Sequence, residues 1–521
     1  MRSRAFVLCA IAVFLVPILF TARNLSTWPA RLRYTGEESY EGVALAEMTR
    51  LGRGEPIYAA GAADRFDAAT YGPLYYLLGK HVISLQNPSY FPLRLLSVVG
   101  MLSCAAGCGL LAFWLARSRL AAFLGPLVFL SYGMVTDHGL QALSDGAALL
   151  VFFTGFLVAY RFRDSRAVLL AAPIMILGFY LKPQYIAGPV AVVLFHLLGR
   201  QWRRAVEFAG LCALCGLSLF AYFQWVAFTG QAFWRHFLLY QASLFSWQRF
   251  GIALFLYVLL FFIPLVFVIE YLRTSRNRMI ACYLGAAIVL GLLTYSKSAS
   301  GVHYFFETVF TVSALVPTLI AGELAKQRLP VDLLLVLALM LFAGQWSTKP
   351  APRPTDIQQH EVIQNYLRQN FPPGAKALGP APGDLLQAGL RTPYAGVFQL
   401  TQLVHRGILS DRDLVAAIRA HQFSVITLNF DVWRERDPYW LRFYLTAPMI
   451  EAIQQEYVLA TSLDLPLLER ERPGDRFYAY VPRSGLKASR LAAVPSRDQF
   501  FWPQSTTFHA SQRINGMRDN T

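Results

Sequence analysis

The sequence predicts an α-helical polytopic membrane protein of about eleven transmembrane helices, followed by a C-terminal α/β extracytoplasmic domain. Three observations predict it. Of 521 residues, 55% are apolar and only 15% charged, where soluble domains carry about 25% charge. Apolar runs of span length recur as far as about residue 345. Basic residues between the runs fall in alternate loops. A mean hydropathy of +0.40 excludes a disordered chain and argues against an ordinary cytosolic globule.

The first run, Ala5 to Phe20, follows Arg2 and Arg4 and has no small-residue cleavage site after it, so it reads as a retained anchor. Further runs cover 95–115, 120–136, 144–160, 167–180, 186–199, 207–228, 251–271, 279–295, 304–322 and 330–345, with Asp332 near the start of the last. Five short loops are basic: Arg117 and Arg119; Arg161, Arg163 and Arg166; Arg200, Arg203 and Arg204; Arg273, Arg276 and Arg278; Lys326 and Arg328. The loops between them hold Lys182, Arg235, Arg249 and Lys297. Positive charge stays inside, which predicts a cytoplasmic (inner) membrane protein with its N terminus in the cytoplasm and its tail exported. The net charge of +16 is then a topological bias, and no nucleic-acid partner is expected.

Three regions follow: a transmembrane domain, 1–345, with a long first outer loop at 23–93; a small α/β extracytoplasmic domain, 346–482; and a flexible basic tail, 483–521. The Pro-rich KPAPRPTD opens the second region. Within it, HEVIQNYLRQNF, DRDLVAAIRAHQ and YWLRFYLTAPMIEAIQQEY read as helices, and FSVITLNF and FYAYVP as strands. All six cysteines lie inside apolar runs, so no disulfide framework is expected, and Cys212-x-x-Cys215 reads as packing.

Ionisable residues kept at the outer edge of a polytopic protein mark its function. The first outer loop carries YTGEESYEGVALAEMTRLGRGEPIY, in which Val43, Leu45, Ala46, Met48 and Leu51 make one greasy face of an interfacial amphipathic helix with Glu41 near its N terminus. YGPLYYLLGKHV is a second amphipathic piece, with Tyr71, Tyr75 and Tyr76 suited to the headgroup belt. The run E-G-x-x-L-x-x-x-x-R-L-x-x-G-E-P-I-Y, followed by Y-G-P-L-Y-Y-L-L, resembles the start of the GT-C glycosyltransferases. The nearest branch is the bacterial one with the protein O-mannosyltransferases and the lipid A aminoarabinose and galacturonic acid transferases. FPLRLLSVVG, SDGAALLV, LKPQYIAGP and SGVHYFFE are similar, in that order, to later segments of the same family. Three departures stand out, one being His303 in place of the usual Asn of Gly-x-Asn-Tyr. Tyr40 occupies the place of the Asp in Asp-Glu-Gly, and Thr70-Tyr71-Gly72 replaces a Lys before Pro-Leu-Tyr-Tyr.

The resemblance implies transfer of a sugar from a polyprenyl-phosphate donor to an acceptor hydroxyl on a lipid, glycan or protein, outside the cytoplasmic membrane and among its lipids. Such a displacement needs a proton acceptor and stabilisation of the departing phosphate. A single displacement inverts the anomeric carbon, by analogy with inverting glycosidases. The catalytic acids implied are Glu41 as general base, Asp145 as second carboxylate and Glu38 as the nearest substitute for Glu41. Donor-phosphate binding falls to Arg94, Lys182, His303 and Tyr304. Plainer readings stand beside these: a dipole-favoured carboxylate at Glu41, an N-cap at Asp145, a snorkelling Arg94 and a polar cap at His303. Asp137 and His138 are spare candidates, and the DxD at Asp411 to Asp413 reads as the start of a helix. No cofactor is required; a divalent cation shared by Glu41 and Asp145 is left open. The other classes weighed are a secondary transporter of a lipid-linked or polar solute and a receptor with a ligand-binding tail.

Overall fold

The computed structural model describes residues 2–36, 40–59, 65–240, 245–275, 277–297, 300–326, 351–433, 444–464 and 476–484. Glu38, the expected span 330–345 and residues 485–521 lie outside the described residues. The apolar runs fold as helices. In chain order these are α1 (Arg2–Arg33), α2 (Glu41–Gly52), α3 (Pro73–Val82), α4 (Phe91–Ala116), α5 (Arg119–Ser131), α6 (Gly133–Asp137) and α7 (Asp145–Arg161). There follow α8 (Ala171–Leu181), α9 (Ala187–Leu198), α10 (Trp202–Tyr222), α11 (Trp247–Ser275), α12 (Arg278–Tyr295) and α13 (Phe306–Ala325). Among the described residues four helical stretches are long and apolar enough to cross a bilayer singly, and α11 bends by 69° at a break next to Pro264. The chain is a multi-pass membrane protein.

The alternation of charge becomes a separation of two ends. Helix α7 has 17 residues, so its termini stand about 25 Å apart. At its C-terminal end Tyr160 stacks on Trp114 and accepts a hydrogen bond from Asn277 Nδ2 at 3.0 Å, while Arg204 donates to the Asp164 carbonyl at 3.0 Å. Arg117, Arg161, Arg163, Arg204 and Arg278 therefore gather at one end. Asp145, the first residue of α7, faces the other. There α4 and α7 cross closely, because a Cβ on Gly100 would lie 2.2 Å from the Gly146 carbonyl oxygen. Only glycine permits that approach, and Asp145 is its neighbour.

The C-terminal domain contains a four-stranded sheet in the order β1-β2-β4-β3, with β1 Ala377–Leu378, β2 Val425–Leu428, β3 Tyr457–Asp464 and β4 Arg476–Pro482. Strand β1 runs parallel to β2, and the other pairings are antiparallel. The strands expected around β2 and β4 are present, whereas no strand is expected at β3, whose first residue ends the predicted helix YWLRFYLTAPMIEAIQQEY. Strand β3 follows the helix Ala447–Glu456 without a break, so no Gly or Pro marks the change of period.

One expectation is corrected here. Helix α2 is not interfacial: every residue from Glu41 to Arg50 is buried. Ala44, Leu45, Ala46 and Met48 pack into the helical bundle. Val43 instead joins Phe66, Ala68 and Tyr240 in a core shared with Leu400, Ile418 and Tyr480 of the C-terminal domain. The amphipathic pattern is the same for a helix on lipid and for one roofed by protein. The C-terminal domain thus sits at the Asp145 end, opposite the C terminus of α13.

Candidate active site

The two carboxylate–cation pairs at this end are built from the C terminus of α1, the N termini of α2, α4 and α7, and the turn after α8, and the segments around Tyr75, Asp137 and His303–Tyr304 add to them. Glu41 opens α2 and Arg94 lies in the first turn of α4. Arg94 Nε donates to Glu41 Oε1 at 2.9 Å and Nη2 to Oε2 at 2.5 Å, and both side chains are buried. Arg94 also donates to the carbonyls of Arg31 at 2.9 Å, Tyr34 at 2.5 Å and Gly36 at 3.0 Å. A guanidinium has five N–H groups, and these contacts engage all of them. The Ala142 N–H also donates to Glu41 Oε1. Arg94 is therefore the partner of Glu41. In this arrangement all five N–H groups are engaged by protein acceptors.

The second pair is freer. Lys182, just past α8, donates to both oxygens of Asp145 at 2.7 Å, and the Tyr185 hydroxyl donates to Asp145 Oδ1 at 2.5 Å. An ammonium carries three N–H groups, so one remains beyond the two given to Asp145. Asp145 is not an N-cap: Ser144 holds that position, and the carboxylate turns to Lys182 instead. The Lys182 ammonium lies 5.8 Å from the Tyr304 ring centroid, and the His303 ring stands 4.5 Å from Tyr304 and 5.2 Å from His138. Arg249 secures this corner by donating to the Ser300 carbonyl at 2.7 Å. Gly72 docks the tyrosine segment against the Lys182 turn: its N–H donates to the Leu181 carbonyl at 3.1 Å, and a Cβ there would meet the Tyr180 carbonyl oxygen at 2.0 Å.

Tyr75 is near enough to both pairs to feel the charges of Glu41 and Asp145. Its hydroxyl is buried and has no hydrogen-bond partner among the described residues. Burial first, then the charges of Glu41 and Asp145, push its phenol well above the ordinary value, so it stays a neutral O–H. The spare candidate Asp137 is engaged by Arg31 at 2.7 Å. The DxD starts the helix Arg412–Arg419 as expected, but the Asp411 carboxylate accepts from Thr446 at 2.5 Å and does not cap it.

No protein-family model and no curated protein matches this sequence. The structure does find counterparts. ArnT from Cupriavidus metallidurans bound to undecaprenyl phosphate aligns over 89% of this chain and 97% of that one, at 13% identity and a TM-score of 0.53. The apo state of the same protein gives 12% identity and a TM-score of 0.55 over the same shares. The chain has the GT-C fold.

Within this GT-C fold, Glu41, Arg94, Asp145, Lys182, His303 and Tyr304 all come to the same end of the bundle, while Glu38 lies outside the described residues. Motif reading missed the pairing itself and the parts played by Tyr185, the Ala142 N–H and the carbonyls of residues 31, 34 and 36. Tyr185 had a signal, because it ends Lys-Pro-Gln-Tyr within a recognised segment. Backbone groups have none, since any residue supplies them. A cation shared by Glu41 and Asp145 does not fit the donor set. Each carboxylate is held by a cationic side chain, and no group of three or more His, Cys, Asp or Glu converges among the described residues.

Proposed function

We propose that this chain is a glycosyltransferase that moves a sugar from a polyprenyl-phosphate donor to an acceptor hydroxyl at the outer face of the cytoplasmic membrane. The observation that carries the reading is the convergence of two carboxylate–cation pairs at one end of a GT-C fold whose solved relative ArnT was determined with undecaprenyl phosphate bound. The acceptor oxygen attacks the anomeric carbon, the bond from that carbon to the phosphate oxygen breaks, and polyprenyl phosphate departs. The acceptor proton passes to a carboxylate, and a single displacement inverts the anomeric centre.

The two pairs suit different tasks. Lys182 has one N–H to spare and a flexible stem, so it can turn toward the donor phosphate. Doing so releases Asp145, and the donor's own charge thereby exposes the base. His303 and Tyr304 line the same corner and complete the phosphate site. Glu41 keeps its Arg94 partner and fixes α2 against α4. Its place at the N terminus of α2, where the dipole favours a carboxylate, supports a second assignment in which Glu41 takes the proton.

Deletion of the chain's gene tests the reaction class: one lipid-linked sugar is expected to accumulate, and an unchanged carrier-lipid profile would refute it. With that donor in hand, Asp145→Asn and Glu41→Gln separate the assignments. Loss of turnover with retained donor binding in Asp145→Asn, against residual turnover in Glu41→Gln, supports Asp145; the reverse pattern moves the base to Glu41.

A further inference from the structure

The connector between α1 and α2 is held from two sides. On one side Arg94 takes the carbonyls of Tyr34 and Gly36. On the other side the C-terminal domain bonds to residues 34 and 35 and lies close against residue 36. The Tyr34 hydroxyl bonds to His360 Nε2 at 2.8 Å, Gln387 Nε2 donates to the Thr35 carbonyl at 3.2 Å, and a Cβ on Gly36 would meet His360 Nε2 at 2.3 Å. His360 is itself fixed. Its Nδ1 faces both oxygens of Asp384 at 2.9 and 3.1 Å, and Gln364 donates to the same carboxylate at 3.2 Å. His360, Asp384, Gln364 and Tyr34 are all buried.

We propose that His360 is a positioning residue through which the C-terminal domain holds the carbonyl cradle of Arg94, and with it Glu41, in register. This rests on reading the Glu41–Arg94 pair as part of the transfer site. The C-terminal domain is then a structural part of the reaction centre as well as a cover over it. The sequence hides this because Tyr34 and His360 lie 326 residues apart. The groups facing His360 are Asp384 and Asp356, which favour its charged form, and Arg94, which opposes it. Burial is the largest influence and lowers its pKa, yet the two carboxylates prevail and the net shift is upward. The Tyr34 contact survives either charge state: neutral His360 accepts from the hydroxyl at Nε2, and the cation donates to it.

The test uses the full-length chain in lipid nanodiscs with His360→Ala, Tyr34→Phe, the double variant and His360→Gln. Hydrogen exchange at residues 31–36 is read without substrate. Turnover is read with the lipid-linked sugar that accumulates in the deletion strain. The expected result for His360→Ala is faster exchange at 31–36, unchanged protection in β2 and β4, and a fall in kcat of about 10²-fold with donor KM unchanged, the scale of a ~1 Å misplacement. Tyr34→Phe is expected to act in the same direction, the double variant to be no worse than His360→Ala, and His360→Gln to recover part of the loss. Unchanged exchange at 31–36, or single effects that multiply in the double variant, would overturn the proposal. If His360→Ala does not fold, Tyr34→Phe and His360→Gln carry the same readouts. If the wild-type chain moves no sugar, the transferase reading falls, while the exchange result still decides whether His360 holds the connector.

Discussion

Arg94→Lys keeps the charge and removes the geometry. The guanidinium satisfies five acceptors, two on Glu41 and one each on Arg31, Tyr34 and Gly36. An ammonium has three N–H groups, so at least two of those acceptors lose their partner. The site is closed to water, with Arg94 2% and Glu41 0% exposed, so solvent cannot replace what is lost. A hydrogen bond involving a charged group is worth about 1.5–3 kcal/mol, which puts the cost at roughly 3–6 kcal/mol. Arg203→Lys is the control, because Arg203 pairs with Glu207 while 81% exposed, and exposed pairs contribute about 0–1 kcal/mol. The assay is the thermal midpoint of the detergent-solubilised chain, read as loss of the monodisperse peak, with turnover measured in parallel. Arg94→Lys is expected to lower the midpoint well below that of Arg203→Lys and to reduce turnover. Equal midpoints for the two variants would refute the carbonyl cradle as a source of stability.

Lys182→Met is expected to cost roughly 3–5 kcal/mol by leaving Asp145 buried and unpaired, and Lys182→Met with Asp145→Asn to regain most of it while both stay inactive; a double variant no more stable than the single would deny the pairing. Gly100→Ala places a Cβ 2.2 Å from the Gly146 carbonyl oxygen, so α4 and α7 must part, at about 1–3 kcal/mol; a wild-type melting midpoint would contradict that crossing. Burial, then the charge of Asp67, pushes the Glu47 carboxyl up from 4.5 to about 8. Its folded pKa exceeds its unfolded one, so stability should fall as pH rises from about 4.5 to about 8 and level off above. Glu47→Gln should flatten that slope, and an equally steep slope in the variant would exclude Glu47 as its source. Single cysteines at the exposed positions Arg53 and Arg203 are expected to label from opposite sides of the membrane, with position 53 outside; labelling from one side would contradict the two-ended arrangement.

Fold class was legible because membrane insertion writes itself into local sequence. Each span must be apolar along its whole length, and each loop carries the charge of its side, so composition and order suffice. Runs such as 279–295 and 304–322 therefore lie within three residues of α12 and α13 at either end. Six ionisable or aromatic residues picked out beside apolar runs do share one end of the bundle, because such a group is conspicuous in an apolar sequence. Their partners were not legible. Whether Arg94 meets a phosphate or Glu41, whether Asp145 caps α7 or receives Lys182, and whether α2 lies on lipid or beneath a protein domain depend on which helix ends meet. That is settled by packing among segments tens to hundreds of residues apart, through glycine contacts and backbone carbonyls that leave no pattern in a one-dimensional string.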